Sequence, residues 1–252
     1  MEFDYAETGS VSASLDTDRI SRHLPSPNAH AFVKLVCTSC GKSWEHQIDC
    51  GDRTCPECNR SRQNRIYARY KPIVARMKKP TFITLTTRRT VLTAGNVRRL
   101  RGWFTKLRHR KLWIALCGIY QIELGTIDDL NMCNLHIHAI VDSEYMPQNL
   151  LSAAWRDISG NFIVYVERCS SVDGALRYLT QHMGKVIADP RFAELVNGAL
   201  HDTRLVQGFG DLNTEDLDMG DPVCPFCHAV GSVITAYDEL WYDCTERGND
   251  YG

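Results

Sequence analysis

Leu135-His136-Ile137-His138-Ala139-Ile140-Val141-Asp142 sets the pattern from which the rest of the chain can be read. Side chains two apart on a strand project from one face, so His136 and His138 point one way while Leu135, Ile137, Ala139 and Val141 point the other. The apolar set reads as core. The two imidazoles are left as neighbours on the opposite face, able to share a metal ion.

Upstream, residues 113–124 read as another strand, and Gly125 with Asp128-Asp129 marks a polar turn before residues 134–142. The two strands are expected to form a hairpin. Gln121 and Glu123 share a face, opposite Tyr120, Ile122 and Leu124, so pairing can set a carboxylate beside the histidines. His136, His138 and Glu123 then make a candidate divalent-metal site. Such ligands suit Mn, Zn or Fe, and Mg where substrate phosphates and water complete the shell; the expected catalytic ion is Mn or Mg.

On either side of this hairpin the same periodicities recur. Residues 81–87 are rich in Thr, Ile and Phe and read as a strand, and Val97, Leu100, Trp103, Phe104 and Leu107 recur at helical spacing over 96–111. Residues 147–158 predict a helix after Pro147, which leaves through Ser159-Gly160 into a strand at 162–167, and a last core helix follows over 172–186. The order β-α-β-β-α-β-α predicts an α+β fold: a central antiparallel sheet with helices on one face, as in ferredoxin-like and RNA-recognition-type folds.

Around this core, residues 1–30 are Ser- and Asp-rich and are expected to be a mobile tail. Residues 31–79 form a zinc-binding segment and a basic helix that Pro72 is expected to kink. The core spans 80–188, and 189–252 is an acidic, loop-rich segment. No apolar run reaches membrane-spanning length and the start, Met1-Glu2-Phe3-Asp4, lacks the pattern of a secretory signal, so a cytoplasmic protein with no membrane partner is expected.

The net charge of −1 conceals an asymmetry: residues 60–111 hold 17 Lys or Arg and no Asp or Glu. Solvated helical faces usually mix signs, so a block this pure indicates a polyanion partner, with Arg60, Arg62, Arg65, Arg69, Arg88, Arg89, Arg98, Arg99 and Arg101 as candidate DNA contacts.

Most of the 11 cysteines fall in Cys-x-x-Cys pairs. Cys37, Cys40, Cys55 and Cys58 have the spacing of a tetrahedral four-cysteine structural zinc site, with His46 and Cys50 lying in the loop between as alternatives. Cys224, Cys227 and Cys244 suggest a second zinc site with His228 as a candidate fourth ligand. Cys117, Cys133 and Cys169 stand alone and read as buried thiols. Gly41-Lys42-Ser43 has Val36 where a phosphate-binding loop needs its first glycine, so no ATPase is expected.

In the last core helix Tyr178, His182 and Lys185 recur at i, i+4 and i+7 and form one stripe. A tyrosine attacking a phosphodiester keeps the bond's energy in a phosphotyrosine link, because the phenol is a far better leaving group than an alkyl hydroxyl. Lys185 is the candidate for orienting the phosphate.

Three segments together resemble the HUH endonuclease superfamily, more narrowly the zinc-containing replication initiators (Rep) of rolling-circle plasmids and small viruses: Phe82-Ile83-Thr84-Leu85-Thr86, then Leu135 to Val141, then Arg177-Tyr178-Leu179-Thr180-Gln181-His182-Met183-Gly184-Lys185. The resemblance implies an HUH core with an N-terminal zinc knuckle and a small zinc-ribbon-like C-terminal appendage. It implies Glu123 as third metal ligand and nicking of single-stranded hairpin origin DNA, with a 5′-phosphotyrosine and a free 3′-hydroxyl, supported by a host helicase and polymerase. The chain has Gln181 where the family often has lysine, and His182 where some members have a second tyrosine. Termination would then use water activated by His182, another residue or a second subunit. The readings beside this one are an HUH transposase or relaxase, and a non-catalytic zinc DNA-binding regulator.

Overall fold

The computed structural model describes residues 30–48, 50–181, 190–212, 224–229 and 233–243. The chain divides into two compact units, residues 53–217 and the pair of segments 1–52 and 218–252.

The larger unit is built on strands β3 (Pro80–Thr86), β5 (Gly118–Leu124), β7 (Leu135–Asp142), β8 (Ile163–Arg168) and β9 (Val206–Phe209). They form one antiparallel sheet in the order β8-β3-β7-β5-β9. The expected hairpin is present, with β5 and β7 paired from Gly118↔Val141 to Leu124↔Leu135. β5 begins at Gly118 rather than at Trp113, although Trp113 and Ala115 are already buried. The fold is thus a mixed α+β fold around a central antiparallel sheet.

Helices cover both faces of that sheet, not one. Helices α2 (Ala94–Arg108), α3 (Gln148–Ser159) and α5 (Ala193–Leu200) bury Phe104, Trp155, Val196 and their neighbours against Leu85, Ile122, Ile137 and Val141. On the opposite face α1 (Pro56–Val74) and α4 (Val172–Gln181) bury Tyr70, Ile73, Leu176 and Leu179 against Phe82, Ile119 and Ile140. The cause is plain: Phe82, Ile119 and Ile140 are apolar residues in the same phase as the polar row, so one end of the polar face also needs covering. Pro72 lies in the last turn of α1, which stops two residues later; a proline there leaves little helix beyond it to kink.

Thr93 caps α2 by accepting a hydrogen bond from the Asn96 amide at 3.1 Å, and Gly160 ends α3 in the left-handed region at φ 74°. The segment beyond residue 189, expected to be loops, contributes α5 and the edge strand β9. That strand depends on glycine at Gly118, where a Cβ would lie 2.7 Å from the Ile140 carbonyl and 2.8 Å from the Phe209 ring. Short strands β4 (Thr90–Val91) and β6 (Met132–Cys133) pair beside the main sheet.

In the smaller unit β1 (His30–Cys37) is the middle strand of three, flanked by β2 (Ser43–Ile48) and β10 (Val233–Asp243), both antiparallel to it. Val33, Leu35 and Cys37 alternate into its interior. Among the described residues no helix is long and apolar enough to cross a membrane.

Candidate active site

Two polar rows meet across three strands. β3 pairs Thr84 with His138 and Thr86 with His136, while β5 on the far side pairs Gln121 with His138 and Glu123 with His136. The two-residue period therefore stacks both threonines, both histidines and Glu123 on one face. Leu135, Ile137, Ala139 and Val141 enter the opposite core.

Each imidazole is held from the same side. Thr84 Oγ1 and His138 Nδ1 share a hydrogen bond of 3.0 Å, and Thr86 Oγ1 and His136 Nδ1 share another of 3.0 Å. The threonines hold the Nδ1 side of each ring, which leaves the Nε2 atoms facing β5. There Glu123 Oε2 lies 2.5 Å from His138 Nε2, and His136 Nε2 lies beside Gly125, where a Cβ would approach to 3.3 Å. The rings are nearly parallel, 14° apart, with centroids separated by 6.0 Å. This is a row of nitrogen and oxygen donors, whose three potential ligand atoms are less closely gathered than the cysteine sulfurs of the smaller unit. Burial lowers the His136 pKa, with the Glu123 charge opposing and His138 adding to the shift, which favours the neutral imidazole.

Tyr178 on α4 reaches this row. Its ring lies 5.7 Å from that of His138 at 86° and 5.6 Å from that of Phe82 at 82°, yet the residue keeps 44% of its surface exposed. Leu176 and Leu179 are fully buried beneath it, which sets the helix face. Burial, then the charges of Glu123 and Glu167, raises the phenol pKa above its ordinary value. A cleft of about 760 Å³ contains Glu123, His136, His138 and Tyr178 together, with Tyr165 and Glu167 of β8 on its rim.

α1 and α4 are tied by a short network. Tyr67 donates to Asp173 Oδ1 at 2.5 Å, Arg177 Nε donates to Asp173 Oδ2 at 2.9 Å, and the Arg177 guanidinium sits 4.5 Å above the Tyr67 ring. The Tyr178 helix is thereby held in register against the basic helix.

Of the other residues singled out, His182 and Lys185 lie outside the described residues, as does Cys244. The basic block is not gathered into one surface. Arg60, Arg62, Arg65 and Arg69 sit on α1, on the Tyr178 side of the sheet, whereas Arg98, Arg99 and Arg101 sit on α2, which packs on the other side. Arg88 and Arg89 follow β3, and Arg89 is engaged by Asp128 at 2.6 Å.

The cysteines group differently from the expected sets. Within the smaller unit Cys37 and Cys40 meet Cys224 and Cys227. These four sulfurs lie within 4.8 Å of one another, so they can chelate a metal ion. His228 is not in this group; it takes the left-handed turn position, φ 58°, at the end of its knuckle. Of the three solitary cysteines only Cys133 is buried; Cys117 and Cys169 are half-buried, because one precedes the start of β5 and the other follows the end of β8. The Cys133 and Cys169 thiols are pushed up to about 11, chiefly by desolvation.

Thr84 and Thr86 join the site without having been singled out by the sequence. Their signal is present there, since two hydroxyls two apart in a neighbouring strand share the histidines' period. What one strand cannot reveal is the register that sets them opposite. No protein-family model matches the chain, and comparisons with curated proteins and with solved structures give no match.

Proposed function

We propose that this chain is a metal-dependent tyrosine nickase of the HUH type, which cuts single-stranded origin DNA to begin rolling-circle replication. The observation that carries this reading is the juxtaposition of the Tyr178 ring with His138, 5.7 Å away, at the open row of His136, His138 and Glu123.

Bound at that row, a divalent ion such as Mn or Mg would polarise the non-bridging oxygens of a phosphodiester. The Thr84 and Thr86 hydroxyls orient the imidazoles, and Glu123 supplies the carboxylate. The Tyr178 oxygen attacks phosphorus as the P–O3′ bond breaks, giving a 5′-phosphotyrosine; the phenol proton leaves and the departing oxygen ends as a 3′-hydroxyl. The raised phenol pKa fits a site that is electronegative until a cation offsets Glu123. Lys185 is assigned to the phosphate and His182 to water activation, and the arginines of α1 to the flanking strand.

Incubation with candidate hairpin DNA and Mn is expected to give a covalent adduct mapping to Tyr178, and Tyr178→Phe to abolish it. An adduct that persists in the phenylalanine variant sinks the assignment. Zinc-dependent DNA binding by the wild-type chain with no adduct at any metal would instead identify a non-catalytic regulator, a reading that the cysteine group and basic helices also support.

A further inference from the structure

Two knuckles with the same backbone meet in the smaller unit. In the first, the Gly41 amide donates to the Cys37 carbonyl at 2.8 Å, and the Cys37 amide to the Lys42 carbonyl at 2.9 Å. In the second, the His228 amide donates to the Cys224 carbonyl at 2.9 Å, and the Cys224 amide to the Ala229 carbonyl at 3.0 Å. Both place a residue with positive φ four after the first cysteine, Gly41 at 69° and His228 at 58°. His228 thus takes the same turn position as Gly41.

The knuckles face each other through their sulfurs. Cys37 Sγ lies 3.6 Å from Cys227 Sγ, and Cys40 Sγ lies 3.8 Å from Cys224 Sγ. A tetrahedron of thiolates at about 2.3 Å from zinc has edges of roughly 3.8 Å, whereas a disulfide would need about 2.05 Å. Side chains keep the alignment: Phe226, at the tip of the second knuckle, packs edge-on to Trp44 of β2 at 5.9 Å and lies under Lys42 Nζ at 4.9 Å. Among the described residues the group holds four sulfurs and no oxygen or imidazole, which selects a soft or borderline ion, and a four-coordinate set leaves no position for substrate.

We infer that Cys37, Cys40, Cys224 and Cys227 hold one structural zinc ion, which clasps the C-terminal segment to β1–β2. The site is independent of the nickase reading. Zinc binding replaces the thiol protons, which pass to solvent, and couples closure of the smaller unit to metal. The C-terminal segment then belongs to the fold of the N-terminal one.

The full chain, purified without chelator, tests this by zinc content and by alkylation mapping. Cys40→Ser and Cys227→Ser are each expected to lose one zinc per chain, and the double variant no more than either single one. Because a variant can lose metal by misfolding, the unmutated chain supplies the second measurement. In the zinc-loaded chain Cys40 and Cys227, the exposed members of the set, are expected to resist a thiol alkylating reagent and to become reactive together when zinc is stripped, with the buried Cys133 unchanged. The inference is overturned if Cys227→Ser retains full zinc, if the double variant loses twice as much, if Cys40 and Cys227 alkylate equally with and without zinc, or if the isolated chain carries these cysteines as disulfides.

Discussion

On one face of the five-stranded sheet Phe104, Trp155 and Leu200 close over Leu85, Ile122 and Ile137; on the other, α1 and α4 cover only one end, and the row of Thr84, Thr86, His136, His138 and Glu123 opens into a cleft. The same strands supply both faces, because alternate residues of β3, β5 and β7 go to each. Close packing on one side stabilises the unit, while incomplete cover on the other leaves polar donors reachable. Substitutions on the two faces should therefore separate stability from binding.

The largest effect is expected on the closed face. Trp155 is fully buried and donates from Nε1 to the Thr86 carbonyl at 3.2 Å, so Trp155→Ala should cost about 3–5 kcal/mol in a urea unfolding experiment. A loss below about 1 kcal/mol would mean that this face is not the stabilising one.

Gly118→Ala comes next. Its Cβ would collide with the Ile140 carbonyl and the Phe209 ring, and a loss of about 1–3 kcal/mol is expected. Hydrogen exchange should show the protection lost first in β9, and uniform loss across the sheet would contradict a local clash.

On the open face, Thr84→Val should leave stability nearly unchanged but weaken Mn binding by about 10–100-fold, since His138 Nδ1 loses its partner. Titration calorimetry reads this directly. Equal affinity in the two proteins would remove Thr84 from the site.

The smallest effect is a pH dependence in metal-free protein. Burial lowers the His136 pKa, so below the ordinary imidazole value of about 6.5 the unfolded chain binds a proton that the folded chain resists. Stability should fall as pH drops through that value, and His136→Gln should flatten the fall. An unchanged slope in the variant would assign the dependence to other groups.

Much of the larger unit is legible from local pattern. The alternation around His136 and His138, the helical spacing from Val97 to Leu107 and the turn residues before β7 are set by backbone geometry over a few residues. The edge strand β9 is not, because four residues, Val206 to Phe209, carry too little periodicity, and its place beside β5 depends on the absent side chain of Gly118. The basic block reads as one surface when charge is counted along the chain, whereas α1 and α2 pack on opposite sides of the sheet.

Which residues share a strand face, which helix carries Tyr178, and that the cysteines come as paired metal ligands can all be read along the chain. Which pairs meet, with Cys37 beside Cys227 across 190 residues, and which hydroxyl braces which imidazole are settled in three dimensions alone. The physical reason is range. Periodicity follows from φ and ψ within each element, but partnership between distant elements follows from strand register, in which a slip of one residue would turn Thr84 and Thr86 away from both histidines.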